Sequence, residues 1–181
     1  MLFVNPQELK DQFHLRLGRL THASAQLDFN VGLSLNWLGP HNQVDVEGVL
    51  KPAVPLKERL KKLRELVCQT FDHSKPEIAE AFTDVFERAD KVRALRNDYV
   101  HGRWGFRYAQ DDEEPYVFFV ALNWDMNVDQ PDKSIKVTFA EFDAQIAEVE
   151  SVSGQLGLLL HTYREFAAPA AWYLRKQRGA D

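Results

Sequence analysis

The sequence predicts a mainly α fold: a four-helix up-and-down bundle with a small β-hairpin inserted before the last long helix. Three observations carry this expectation. Four segments repeat apolar residues at three-and-four spacing, the period of one buried helix face. Three of the four begin at capping sequences that satisfy the exposed amides of a first turn. Only between residues 104 and 138 does the pattern change, to aromatic and β-branched runs that suit a pleated surface.

The first helix starts at Asn5-Pro6-Gln7-Glu8: a capping side chain, a proline at the first helical position and a glutamate placed to reach back. Its stripe runs Phe13, Leu17, Leu20, Ser24, Leu27, Val31, Leu35 and Leu38, and ends at Gly39-Pro40. Gly32 is expected to permit close packing or a slight bend. A loop over 41–54 leads into a second helix, apolar at Leu56, Leu60, Leu63, Val67 and Phe71.

The third helix begins at a capping box, Ser74-Lys75-Pro76-Glu77. One face carries Ile78, Phe82, Val85, Ala89, Val92, then Arg96, then Tyr99. It is expected to stop near His101, with Gly102 taking the left-handed conformation common after a helix. Phe106-Arg107-Tyr108 and residues 116–122 read as a hairpin around the acidic turn 111–115, with Ile135-Lys136-Val137 as a third strand. The last helix starts at the box Thr138-Phe139-Ala140-Glu141 and buries Phe142, Ile146, Val149, Ser153, Leu156, Leu160 and Tyr163. Pro169 is expected to break or kink it before a short tail around Trp172 and Leu174.

At 181 residues and 45% hydrophobic, the chain has the length of one domain, 1–181, and the apolar mass for a real core. A single cysteine, Cys68, excludes an internal disulfide and every multi-cysteine zinc pattern, and suits a reducing compartment. The N-terminus lacks the basic-then-apolar order of a signal peptide, and the longest apolar run, 156–160, is far too short for a bilayer. A cytoplasmic protein without membrane contact is therefore expected. His14, His22, His41, His73 and His161 show no metal-ligand spacing, so no metal or cofactor is implied.

The formal charge of −5 argues against coating nucleic acid by bulk positive charge. A local basic groove stays open, because Lys51, Lys57, Arg59, Lys61, Lys62 and Arg64 cluster at the second helix. Acidic residues gather instead at 111–114, 125–132 and 141–150.

Arg96 is the least ordinary residue of the third helix. A guanidinium on the apolar seam must be paired or must line a polar cleft, since an unpaired buried charge is costly. Asn97 follows it, and His101 lies at the glycine-terminated helix end. A second arginine–histidine pair, Arg16 and His22, lacks all three features: seam position, following polar residue and helix terminus.

A bundle whose third helix ends in Arg-Asn-x-x-x-His-Gly, here at 96–102, resembles the HEPN superfamily (higher eukaryotes and prokaryotes nucleotide-binding domains). The resemblance covers the core helices, about 6–38, 55–101 and 139–167. It implies one of two things. The first is a metal-independent endoribonuclease of toxin–antitoxin, phage-defence or RNA-processing type, acting as a homodimer with Arg96, Asn97 and His101 catalytic. The second is a non-catalytic module that binds a nucleotide or another protein, such as an antitoxin-type partner.

The chemistry suits the motif. Metal-free RNA cleavage needs a base for the 2′-hydroxyl proton, an acid for the leaving 5′-oxygen and a cation on the phosphorane. Histidine titrates near neutrality, and arginine offers phosphate a planar fork of donors. Asn97, four residues before His101, is placed to orient the imidazole. One chain supplies one histidine, so a two-fold dimer would supply the second. Arg103 and Arg107 are candidates for flanking phosphates, and Tyr99 and Trp104 for stacking on bases. The competing readings are ordinary ones: a structural ion pair for Arg96, helix-end carbonyl contacts for His101, an interhelical hydrogen bond for Asn97, and burial for Tyr99 and Trp104.

Overall fold

The computed structural model describes residues 5–71, 75–107, 116–120 and 134–177. In chain order the elements are α1 (Pro6–His41), α2 (Glu47–Leu50), α3 (Leu56–Phe71), α4 (Pro76–His101), β1 (Arg103–Arg107), β2 (Tyr116–Val120), β3 (Ser134–Thr138) and α5 (Phe139–Gln177). The fold is a helical bundle with a small antiparallel sheet, ordered β1-β2-β3, before the last long helix. The third strand is present, and Val117 pairs with Phe106 on one side and Val137 on the other. Ser74, Tyr108, the acidic segments 111–115 and 125–132, and Ala121 and Leu122 lie outside the described residues.

Each stripe read from the sequence faces the core. Phe13, Leu20, Leu27, Val31, Leu35 and Leu38 of α1 are buried against Leu60, Leu63, Val67 and Phe71 of α3 and the stripes of α4 and α5. Leu9, Leu66, Phe86 and Val152 widen the stripes to the breadth a globular core requires. α1 packs against α3 and α5, α4 packs against the same two helices, and α1 and α4 also touch.

The direction of one step is set by long-range contacts. Asp28 of α1 meets Arg59 of α3, and Asn42 meets Thr70, so these two helices run parallel. Alternation begins only at α3: Arg64 reaches Asp90 on an antiparallel α4, and Arg88 reaches Glu148 on an antiparallel α5. The segment 42–55, including the unexpected α2, doubles back along α1 to make this possible. Gln43 opens that reversal with φ of 56°, and the Val44 amide donates to the Gly39 carbonyl at 2.9 Å.

Tight packing in α1 falls on Gly39 and not on Gly32. A Cβ at Gly39 would sit 2.5 Å from Val46 Cγ1, whereas one at Gly32 would meet Leu50 Cδ2 at an ordinary 3.8 Å. Three helix-end expectations also need correction. Gly102 is extended, with φ −78° and ψ 162°, because the chain passes straight from α4 into β1 and has no turn to close. The N-cap of α4 is Lys75, with no side-chain capping bond. The backbone stays helical through Pro169 to Gln177, so Pro169 does not break α5 and the tail around Trp172 and Leu174 belongs to it.

The other starts behave as capping chemistry requires. Asn5 Oδ1 accepts from the Gln7 amide at 2.9 Å, although among the described residues no bond returns from Glu8. At α5 the box is reciprocal: the Thr138 amide donates to Glu141 Oε2 at 2.7 Å, and the Glu141 amide donates to Thr138 Oγ1 at 3.2 Å. The bonds from Thr138 hold the Glu141 carboxyl below its ordinary range.

Two outcomes follow. Gly39→Ala should cost about 1–3 kcal/mol through overpacking against Val46, while Gly32→Ala should be neutral or stabilise by up to about 1 kcal/mol; urea denaturation of both variants checks the contrast. A carboxyl lowered in the folded state stabilises above its unfolded pKa and loses that contribution as pH falls through the folded value. Glu141→Gln should therefore lose stability relative to the parent at neutral pH, with the gap closing below about pH 4, as read from melting curves across pH.

Candidate functional site

The site is built at the C-terminal half of α4, where the helix end is held by an aromatic cluster. Tyr99 is buried, with its ring stacked 4.6 Å from Trp104 and 4.2 Å from Phe142. Its hydroxyl donates to Gln145 Oε1, and Trp104 Nε1 donates back to the Tyr99 carbonyl at 2.8 Å. Phe13 of α1 closes the cluster against Trp104 and Phe142. Burial, with a smaller contribution from Glu141, pushes the Tyr99 phenol far above its ordinary pKa, so it stays protonated. Tyr99 is thus engaged inside the protein, and Trp104, partly buried, packs against it. Tyr99 offers no exposed face.

One turn earlier, Arg96 and Asn97 open onto a cleft of about 480 Å³ between α1, the 52–57 segment and α4. Arg96 takes part in no ion pair among the described residues; Nη1 donates to Asn97 Oδ1 at 3.1 Å. The expected structural carboxylate is missing because the facing stretch of α1 is Thr21, Ser24 and Ala25, and the one acid there, Asp28, is held by Arg59 at 2.8 Å. The guanidinium therefore keeps most of its donors for the cleft.

The same wall holds cations that the motif does not include. Arg93, one turn before Arg96, lines the cleft with its Nε buried and without a hydrogen bond; its nearest acid, Asp90 Oδ1, is 3.7 Å away and Asp90 is shared with Arg64. Lys57, at the start of α3, completes the wall. The three-residue spacing from Arg93 to Arg96 was visible in the sequence as a shared helix face. Lys57 was visible only as one member of a basic cluster. The rest of that cluster is largely neutralised, Arg59 by Asp28, Lys62 by Glu65 and Arg64 by Asp90.

His101 lies beyond the cleft, exposed at the last residue of α4, and makes no hydrogen bond among the described residues. Among the described residues Asn97 makes no hydrogen bond to it; the Asn97 oxygen accepts from Arg96. Arg103 and Arg107 are the first and last residues of β1, which starts two residues after His101; their side chains are outside the described set. Arg16, of the decoy pair, is occupied by Asp143 at 2.8 Å and by the ring of Phe139. Cys68 is exposed on α3, away from the cleft lining. Among the described residues no three histidine, cysteine or acidic side chains come together as a ligand set, and no helix is long and apolar enough to cross a membrane.

A cleft arginine without an ion pair should be dispensable for folding. Arg96→Ala is expected to change stability by less than about 0.5 kcal/mol, whereas Tyr99→Ala should cost about 3–5 kcal/mol. Denaturant unfolding of the two variants separates a functional arginine from a structural one.

No protein-family model, curated protein or solved structure matches this chain.

Proposed function

We propose that the chain is a HEPN-like, RNA-binding protein of the cytoplasm. In this reading it acts as a metal-independent endoribonuclease of toxin or defence type. The observation that carries the proposal is Arg96: a seam arginine with no carboxylate partner among the described residues, facing a cleft beside Arg93 and Lys57. Such a wall matches a phosphodiester, whose non-bridging oxygens accept from guanidinium forks.

In the catalytic reading the substrate's own 2′-oxygen attacks the adjacent phosphorus. One His101 takes the 2′-hydroxyl proton and a second copy's His101 protonates the departing 5′-oxygen, while Arg96 stabilises charge on the phosphorane. The products are a 2′,3′-cyclic phosphate and a 5′-hydroxyl. A homodimer with both α4 ends on one cleft meets the need for two histidines, and the exposure of His101 suits contact with a second copy or with RNA. An antitoxin-type protein would regulate the toxin version by covering this end.

A second reading rests on Asn97. With its oxygen bonded to Arg96, Asn97 makes no hydrogen bond to His101 among the described residues, which favours a non-catalytic module that holds a nucleotide or a protein through Arg96.

Purified protein incubated with RNA in excess chelator decides between them. Cleavage is expected to leave cyclic-phosphate ends and to fall by a factor of about 100–10,000 in His101→Ala. Arg96→Lys should be severe as well, because a point charge does not reproduce bidentate phosphate contact. Light scattering should find a dimer at micromolar concentration. Chelator-sensitive cleavage, 5′-phosphate ends or full activity in His101→Ala would remove this site from the chemistry, and a monomer would leave only the binding module.

A further inference from the structure

Three of the four large apolar side chains exposed among the described residues belong to one outer face, formed by α1 and α5. They are Leu15 and Phe29 on α1, 60% and 69% exposed, and Leu158 on α5, 64% exposed. Leu15 and Phe29 are fourteen residues apart, which sets them along one side of the helix. Leu158 follows Gly154 by one turn. Between Phe29 and Gly154 lies a groove of about 500 Å³, which shares only Ala25 with the lining of the Arg96 cleft. Its two glycines differ. Gly157 has a partner inside the chain: a Cβ there would meet Asn30 Nδ2 at 3.4 Å, and that amide donates to the Ser153 carbonyl at 3.0 Å. Gly154 has no such reason, since a Cβ there would meet nothing within 4 Å. A glycine inside a helix and a phenylalanine left in water are both unfavourable. One event relieves both, the entry of a ring into the space over Gly154.

We propose that this face pairs with itself: a second copy of the chain, related by a two-fold axis, sets its Phe29 over Gly154 and receives the first copy's Phe29 in the same way. A two-fold interface needs one patch that carries both the projection and the hollow, and here they are neighbours across one groove. The charges at the rim suit a copy better than any charged partner. Arg19 meets Glu150 at 3.2 Å and Asp143 at 3.8 Å, and Arg16 holds Asp143 at 2.8 Å. Two cations and two acids cancel, so two copies meet no like-charge field, and a polyanion finds no attraction there. Seven and fourteen residues before Gly154 stand Ala147 and Ala140, both exposed, so no long side chain on that line holds a second helix away. About five turns of two adjacent helices measure about 27 Å by 20 Å. Pairing two such faces covers about 1,000 Å² in all, the low end of specific interfaces, which makes the association weak. The pairing goes beyond the ribonuclease reading, whose dimer joins the α4 ends, and stands whether or not that dimer forms.

Sedimentation equilibrium of the full chain, from micromolar to near-millimolar concentration, tests this. The mass should at least double across that range, from dimer to tetramer where the α4 ends are already joined and from monomer to dimer where they are not. Phe29→Glu should weaken this step by about thirtyfold or more, the scale of losing a central aromatic anchor. Gly154→Lys should weaken it too, with a melting temperature at or above the parent's, because lysine suits a helix better than glycine and open space receives it. Mixing the two variants should restore association: the new acid of one meets the new base of the other, and the remaining ring still finds a glycine. A parent with no concentration-dependent step, or no recovery on mixing, would overturn the pairing. A Phe29→Glu protein that associates as the parent does would overturn it as well, and would leave the α4-end dimer standing. A mass gain seen only with added RNA and lost in Phe29→Glu would give the face to RNA and overturn self-pairing.

Discussion

The aromatic cluster of Phe13, Tyr99, Trp104 and Phe142 is the constraint on which the arrangement of this molecule depends. It joins α1, the end of α4, the first strand and the start of α5 in one set of ring contacts, none with centroids more than 5.8 Å apart. Each such pair adds about 0.5–1.5 kcal/mol beyond the area it buries, but the geometric effect matters more. Tyr99 is the last buried residue of α4, so fixing its ring fixes the rotation of the helix about its own axis. Arg96 and Asn97, less than one turn away, are thereby aimed at the cleft. The same cluster explains why no loop separates α4 from β1: Trp104 must return its indole N–H to the Tyr99 carbonyl, and an extended Gly102 is the shortest way there.

Ion pairs set how the remaining helices slide along one another. Arg88 bridges to Glu148 with a second bond to Ser151, which draws the Glu148 carboxyl down and the Arg88 guanidinium up in pKa. Arg16 and Arg19 share Asp143, and Arg59 takes Asp28. With their carboxylates open to solvent, these pairs contribute little individually to stability. One of them bears on the cleft: Asp28, the one acid in its lining, is paired with Arg59, and Arg96 is left with a neutral amide as its partner among the described residues. The doubling back of 42–55 has a similar effect, since it brings Pro52, Pro55 and Lys57 across from α4 and turns a helix seam into a walled cleft.

The periodicity that located the four stripes was a local signal, and it held for nearly every position because helix period and core burial follow from the same geometry. Phe82, Leu63 and Ile146 are buried where that spacing placed them. The capping box at Thr138 was equally legible, being a contact between residues three apart. Ser24 and Ser153 sit on apolar stripes with their hydroxyls bonded, Ser24 to the Leu20 carbonyl of its own helix and Ser153 accepting from Asn30 of α1, a contact only the fold makes. Gly39 was less legible than Gly32, because a glycine's packing partner, here Val46, lies across a turn whose path composition does not reveal.

The sequence by itself determined the helical class, the place of the sheet, the buried face of each helix and the anomaly of a charged Arg96 on such a face. Only the tertiary structure decided what that anomaly meets. Whether a seam arginine finds a carboxylate depends on which helix stands opposite, in which direction it runs and at what axial offset. Those quantities come from Asn42 meeting Thr70, Asp28 meeting Arg59 and Tyr99 stacking on Phe142, contacts between residues 28 to 43 positions apart in the chain. A pattern read along one helix contains no information about such offsets, because it is unchanged when the neighbouring helix slides by a turn or reverses. At the same level Thr21 and Ser24, whose hydroxyls donate to their own helix, come to share a cleft with Arg93, Arg96 and Lys57.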